Sequence, residues 1–235
     1  MLKERVASDN LSEFLKYLSS MECSESTGDR LPSLADLSKE LEISIASLRE
    51  QLEVARALGL VEVRPKTGIR RLDYTFRPAV TQTLSYALAI SPDHFKAFSD
   101  LRNHIEAAYW YQAVSTLTAE DHQKLRELIL RAQTKLRGVP VQIPHAEHRE
   151  LHLSIYQRLG NPFVTGILEA YWEMYEAVGL AVYTDFNYLE KVWQYHERMV
   201  EAIISGDYST GFQALNEHAD MLYQRSRPVS RQKFE

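Results

Sequence analysis

The chain has one cysteine, Cys23, in 235 residues. That excludes an internal disulfide, and the polar stretch around it offers no neighbouring partner for nucleophilic catalysis. There is no run of about 18 apolar residues, the length a membrane-spanning helix needs, and the opening MLKERVASDN lacks the apolar core of a secretory signal. A cytoplasmic protein with no membrane partner is expected. Positive charge is scarce too, because 27 Lys and Arg against 32 Asp and Glu leave a formal net charge of −5. No repeat, low-complexity tract or His-Glu-x-x-His metalloprotease signature is present. What the chain does have is length and 45% hydrophobic residues, enough to bury one small and one larger core.

Residues 31–71 carry the clearest local pattern. Ser33 can cap a helix with the apolar stripe Leu34, Leu37 and Leu41, and Asp36 stands three residues after the cap. Ser44 can cap a second helix that turns Leu48, Leu52 and Ala55 inward and leaves Ser47, Arg49, Gln51 and Arg56 elsewhere. Gly59 supplies a left-handed stop. Leu60 to Val63 then favour a strand, Arg64-Pro65-Lys66-Thr67-Gly68 a tight turn, and Ile69-Arg70-Arg71 a return strand. Two helices followed by a two-stranded wing with a cationic tip describe a winged helix-turn-helix.

In this stretch Leu31-Pro32-Ser33, Leu37, Leu48-Arg49-Glu50, Leu52, Gly59-Leu60-Val61, Arg64 and Gly68 fall in the register of the DNA-binding domain of the GntR family of bacterial transcription regulators, which the segment resembles. The resemblance implies contacts to double-stranded operator DNA from Arg49, with Ser33, Lys39, Ser44, Ser47 and the wing residues Arg64, Lys66, Thr67 and Gly68 around it. Family members usually carry an arginine early in the first helix and another at the start of the recognition helix, where this chain has Ala35 and Ile45. An arginine forked onto guanine is worth about 1–3 kcal/mol of discrimination, so Arg49 and the wing bear most of the expected contact. Residues 1–77 hold 12 basic and 13 acidic side chains, yet Arg64, Lys66, Arg70, Arg71 and Arg77 face only Asp73 between positions 64 and 77. Positive charge is therefore concentrated at the wing, where phosphates would be met.

The winged module is assigned to residues 1–77 and a linking helix to 78–90, with Pro78 ending the wing. Residues 91–235 read as an all-α bundle. Ser91-Pro92-Asp93 is expected to open a helix with Pro92 at its first position and Phe95, Phe98, Leu101, Ile105 and Ala108 as its core stripe. Thr118 to Asp121 should cap a helix carrying Leu125, Leu128, Ile129, Ala132 and Leu136, and further helices are drawn at about 145–159, 162–183, 187–205 and 208–225. The fold class is thus mainly α, a winged helix followed by a helical bundle.

Histidines carry the chemistry of that bundle. His148 and His152 project from one helical face a turn apart, and His196 and His218 sit amid apolar spacing on two later helices. Four converging imidazoles suit Zn, Ni, Cu or Fe better than Mg or Ca; left apart, they are ordinary core or surface histidines. The order His148, His152, Gly160-Asn161, His196 and His218 resembles the FCD ligand-binding domain of the FadR subfamily of GntR regulators, where Asp-x3-His is followed by two further histidines. The resemblance implies a metal site of His148, His152, His196 and His218, most simply Zn or Ni. It also implies an effector pocket near Arg102, Glu106 and Asn161, and a homodimer. His148 replaces the family's usual aspartate, exchanging an anionic oxygen for a neutral nitrogen and moving preference toward softer metals. Arg102 carries a guanidinium fork suited to a carboxylate, so a small organic acid is the expected effector, modulating DNA affinity. No catalytic residue is assigned. A metal-dependent enzyme built on the same histidines and a purely structural metal are the alternative readings.

Overall fold

The computed structural model describes residues 10–21, 30–65, 67–177 and 186–225; Cys23, Lys66 and the end of the helix drawn at 162–183 lie outside them. The chain forms two compact units, Met1–Thr83 and Leu84–Glu235.

In the first unit, α1 (Glu13–Ser20) is capped by Ser12, α2 (Leu34–Glu40) by Ser33 and α3 (Ile45–Ala57) by Ser44, each serine oxygen accepting a backbone N–H three residues on. Leu37, Leu48, Leu52 and Ala55 turn inward onto Phe14, Leu18, Leu31, Val61 and Ile69 to form one core. The α1 helix is not among the expected elements, although Ser12 is a cap residue and the buried Phe14 and Leu18 stand one turn apart; longer-range bonds also hold it. Phe14 N donates to Gln51 Oε1 at 2.9 Å, and Arg71 Nη1 donates to Met21 O at 2.7 Å. Strands β1 (Val61–Arg64) and β2 (Gly68–Arg71) pair antiparallel, with Glu62 opposite Arg70 and Arg64 opposite Gly68. Arg30 bridges to Arg70 on the far side of β2. Gly59 has φ +70°, and a Cβ there would stand 2.4 Å from Pro78 Cγ, so both the backbone angle and the space require glycine.

Helix α4 (Arg77–Ile90) carries Pro78 in its first turn and runs across the boundary between the units. The second unit contains α5 (His94–Val114), α6 (Ala119–Arg137), α7 (His145–Tyr156), α8 (Pro162–Ala177), α9 (Phe186–Ser205) and α10 (Tyr208–Arg225). Asp93, not Ser91, is the N-cap of α5, and Pro92 precedes the helix. Its buried residues are Phe95, Arg102, Glu106, Trp110, Ala113 and Val114, whereas Leu101 is 47% exposed. The expected apolar stripe is therefore rotated: two charged side chains stand on the inward face. On α6 the buried residues include Leu125, Leu128, Ile129, Ala132 and Leu136, as the spacing predicts, and Thr118 and Asp121 close a capping box. Trp110 Nε1 donates to Tyr208 O, and a Cβ on Gly211 would lie 2.6 Å from the Trp110 ring, so glycine permits α10 to approach α5. Among the described residues no helix is long and apolar enough to cross a membrane.

Candidate functional site

Helix α7 presents His148 and His152 one turn apart, while α9 and α10 contribute His196 and His218. Each offers one ring nitrogen, and the four atoms lie within 4.8 Å of one another. His152, His196 and His218 are buried and His148 partly so. His152 Nε2 stands 3.1 Å from His196 Nε2. Aromatic rings wall the cluster, with Trp172 4.6 Å from the His148 ring and Trp193 4.8 Å from that of His196.

Burial is the first cause holding all four imidazoles well below the ordinary histidine range; for His152 the Arg102 charge adds to it, and for the others neighbouring histidines do. Neutral imidazoles keep a lone pair for a metal ion. His196 Nδ1, His148 Nε2 and both nitrogens of His218 are buried and find no hydrogen-bond acceptor or donor among the described residues. Buried nitrogens in that condition are costly unless something else engages them, and an all-imidazole donor set suits Zn, Ni, Cu or Fe. The residues present fit a transition-metal ion. Beside His148 and His218 lies a cavity of about 20 Å³, also lined by Ile143, Pro144, Tyr175 and Trp193, with room for about one water-sized group.

Arg102 and Glu106 stand directly behind this cluster. They form an ion pair at 3.0 Å, each 1% exposed, and both reach the same atom of His152: Arg102 Nη2 is 2.9 Å and Glu106 Oε1 3.2 Å from Nδ1. The guanidinium also lies over the rings of Tyr171 and Trp172, 4.9 and 5.3 Å from their centroids. Burial raises the Glu106 carboxyl above its ordinary range, against the pull of Arg102. Tyr156 donates its hydroxyl to Glu106 O at 2.9 Å. Asn161 stands at the start of α8, its side-chain oxygen accepting Phe163 N and Val164 N.

On the winged unit, Ser33, Lys39, Ser44, Arg49, Arg64, Thr67 and Gly68 are exposed and Ser47 is half-buried. The Ser33 and Ser44 hydroxyls are engaged as helix caps, and Ser47 Oγ accepts from Gln51 at 3.3 Å. Arg64 pairs with Glu62 at 2.9 Å and Arg70 lies 3.8 Å from the same carboxylate. Arg30 joins this face, its guanidinium reaching within 3.7 Å of the point where a Gly68 Cβ would be. Arg30 and Glu62 carry no signal of a wing role in the sequence, because only the strand register and the extra bridge bring them to the wing.

Residues 98–221, more than half of the chain, match the FCD domain. The HTH-type transcriptional regulator LutR of Bacillus subtilis is 22% identical over 201 residues, covering 81% of this chain and 88% of its own. A solved structure of a Streptococcus agalactiae GntR protein superposes with a TM-score of 0.63 at 16% identity, over 91% of this chain and 96% of that one. The FCD match through the bundle, together with a winged helix-turn-helix ahead of it, makes this chain a transcription regulator, not an enzyme, and a member of the GntR family in its FCD-bearing, FadR-like branch.

Proposed function

We propose that the chain binds operator DNA as a homodimer through Arg49 and the wing, and that a small carboxylate-bearing metabolite sets its DNA affinity by meeting a Zn or Ni ion held by His148, His152, His196 and His218. The observation that carries this reading is the convergence within 4.8 Å of four imidazole nitrogens, three of them from buried histidines and one from the half-buried His148. When bound, such an ion supplies a Lewis-acidic position that accepts an anionic oxygen. The chain's own part is to present neutral lone pairs, exclude water behind Trp172 and Trp193, and join three helices at one point. A ligand that prefers one arrangement of those helices shifts the population that binds DNA, by its differential affinity and no more. Half-sites repeat at about 34–36 Å along DNA, so a dimer must hold its two heads at that separation.

Fluorescence anisotropy on promoter DNA tests this, comparing chelator-treated protein with the same protein reloaded with Zn or Ni, each titrated with a panel of short hydroxy- and dicarboxylates. A carboxylate that changes DNA affinity only in the metal-loaded protein supports the reading. A second reading, a purely structural metal, is favoured by the small cavity of about 20 Å³. In that case metal raises thermal stability while no carboxylate moves the DNA affinity.

A further inference from the structure

We infer that Arg102 and Glu106 compete for His152 Nδ1 and so select which nitrogen of His152 offers a lone pair to the histidine cluster. The inference rests on the metal-site reading above and concerns two side chains that hold no ion themselves.

A guanidinium can only donate hydrogen bonds. In the 2.9 Å contact with Arg102 Nη2, His152 Nδ1 is therefore the acceptor, and the neutral ring carries its proton on Nε2. That proton points across 3.1 Å to His196 Nε2, so this arrangement turns an N–H, not a lone pair, into the cluster. An ionised carboxylate can only accept. With the proton on Nδ1, His152 faces Glu106 Oε1, 3.2 Å away and without a hydrogen-bond partner in the present arrangement; a small reorientation lets it donate there and leaves Nε2 a free donor atom facing His196. The exchange leaves the ring's net proton count unchanged: one proton leaves Nε2 and one arrives at Nδ1.

Both competitors are in place at once. Arg102 is fixed by its ion pair to Glu106 and by the faces of Tyr171 and Trp172, so changing the partner of His152 takes a small shift within the triad. Both side chains are 1% exposed, so bulk water does not compete for Nδ1. A carboxylate accepting from the far nitrogen of a ligating histidine orients the ring and raises its basicity, and losing such a partner typically costs about 10–100-fold in metal affinity. Glu106 is thus a positioning residue that favours ligation through His152, and Arg102 one that opposes it. Moving His152 to Glu106 releases one Arg102 N–H, the kind of donor a carboxylate ligand takes.

The experiment uses the full chain, Zn²⁺ and a chromophoric chelator as competitor, with the His152 tautomer read by ¹⁵N–¹H correlation NMR. The expected results are a proton on Nε2 without Zn²⁺ and on Nδ1 with it, and Glu106→Gln binding Zn²⁺ about 10–100-fold more weakly than the wild type. The inference is overturned if His196→Ala loses Zn²⁺ while Glu106→Gln binds like the wild type, which leaves the metal site standing. It is also overturned if His152 keeps one tautomer throughout, a readout that needs no variant to fold. A wild-type chain that takes up no Zn²⁺ removes both the site and the selector.

Discussion

His196 on α9 and His218 on α10 have ring centroids 4.4 Å apart, and both rings are buried. Removing either one deletes one donor of the four. We expect His196→Ala and His218→Ala each to reduce, by weakening the site from four donors to three, the stabilisation by Zn²⁺ seen in a thermal melt. At 100 times the dissociation constant, a ligand binding only the folded state contributes about 2.7 kcal/mol. A metal-dependent rise in melting temperature that is undiminished in both variants would place the ion elsewhere.

The same burial makes the bundle acid-sensitive. All four imidazoles titrate well below their ordinary range when folded, whereas in the unfolded chain they take up protons near about pH 6.5. Below that pH the unfolded state binds protons that the folded cluster refuses, so stability is full above it and falls as the medium is acidified. Urea midpoints of the chelator-treated protein should drop between pH 7.5 and 5.5, and less so in a variant with all four histidines replaced by glutamine. An unchanged midpoint would contradict the neutral cluster.

Asp121 ties two turns together. Its carboxylate completes the α6 capping box with Thr118 and also accepts from Arg158 and Gln157, after α7. The Arg158 hydrogen bond, the largest influence, holds the Asp121 carboxyl well below the usual carboxylate range. That contribution is present above an ordinary aspartate pKa of about 3.9 and is lost only in stronger acid. Asp121→Ala should cost about 0.5–2 kcal/mol, as lost caps do, measured as a shift in urea midpoint at pH 7. A cost outside the midpoint's error at pH 7 that shrinks as the pH is lowered below about 3.9 is the expected pair of results.

For the wing, Arg64→Ala should reduce the slope of log affinity against log salt by about 0.9, the contribution of one phosphate contact. Glu62→Gln should tighten binding at low salt, because the carboxylate it removes pairs with Arg64 and approaches Arg70. Arg49→Ala should cost about 1–3 kcal/mol on the operator and much less on unrelated DNA if it reads a base edge. Equal losses on both sequences would make Arg49 a phosphate contact.

Particular residues show where the sequence was legible. The recognition helix and α6 were readable because caps and apolar period agree there: Leu48, Leu52 and Ala55, and Leu125 through Leu136, are buried as their spacing predicts. On α5 the period misled, because Arg102 and Glu106 occupy the inward face and leave Leu101 outside. Hydrophobicity marks a core only where the core is apolar, and polar groups gathered behind a site invert the signal. The spacing of His148 and His152 placed two donors on one face, but the meeting with His196 and His218 is a matter of tertiary packing. So is the joint hold of Arg102 and Glu106 on His152, which no spacing between positions 102 and 152 encodes.

The donors are divided two, one and one among α7, α9 and α10. A helix that peels from the bundle therefore takes at most part of the set with it. Detachment of α10 alone would leave three imidazoles behind, so an ion in the cluster would slow the opening of α10 without being lost at each opening. Metal loading would then register as residence time, with amide hydrogens of α10 exchanging more slowly while those of α1 to α3 keep their rates.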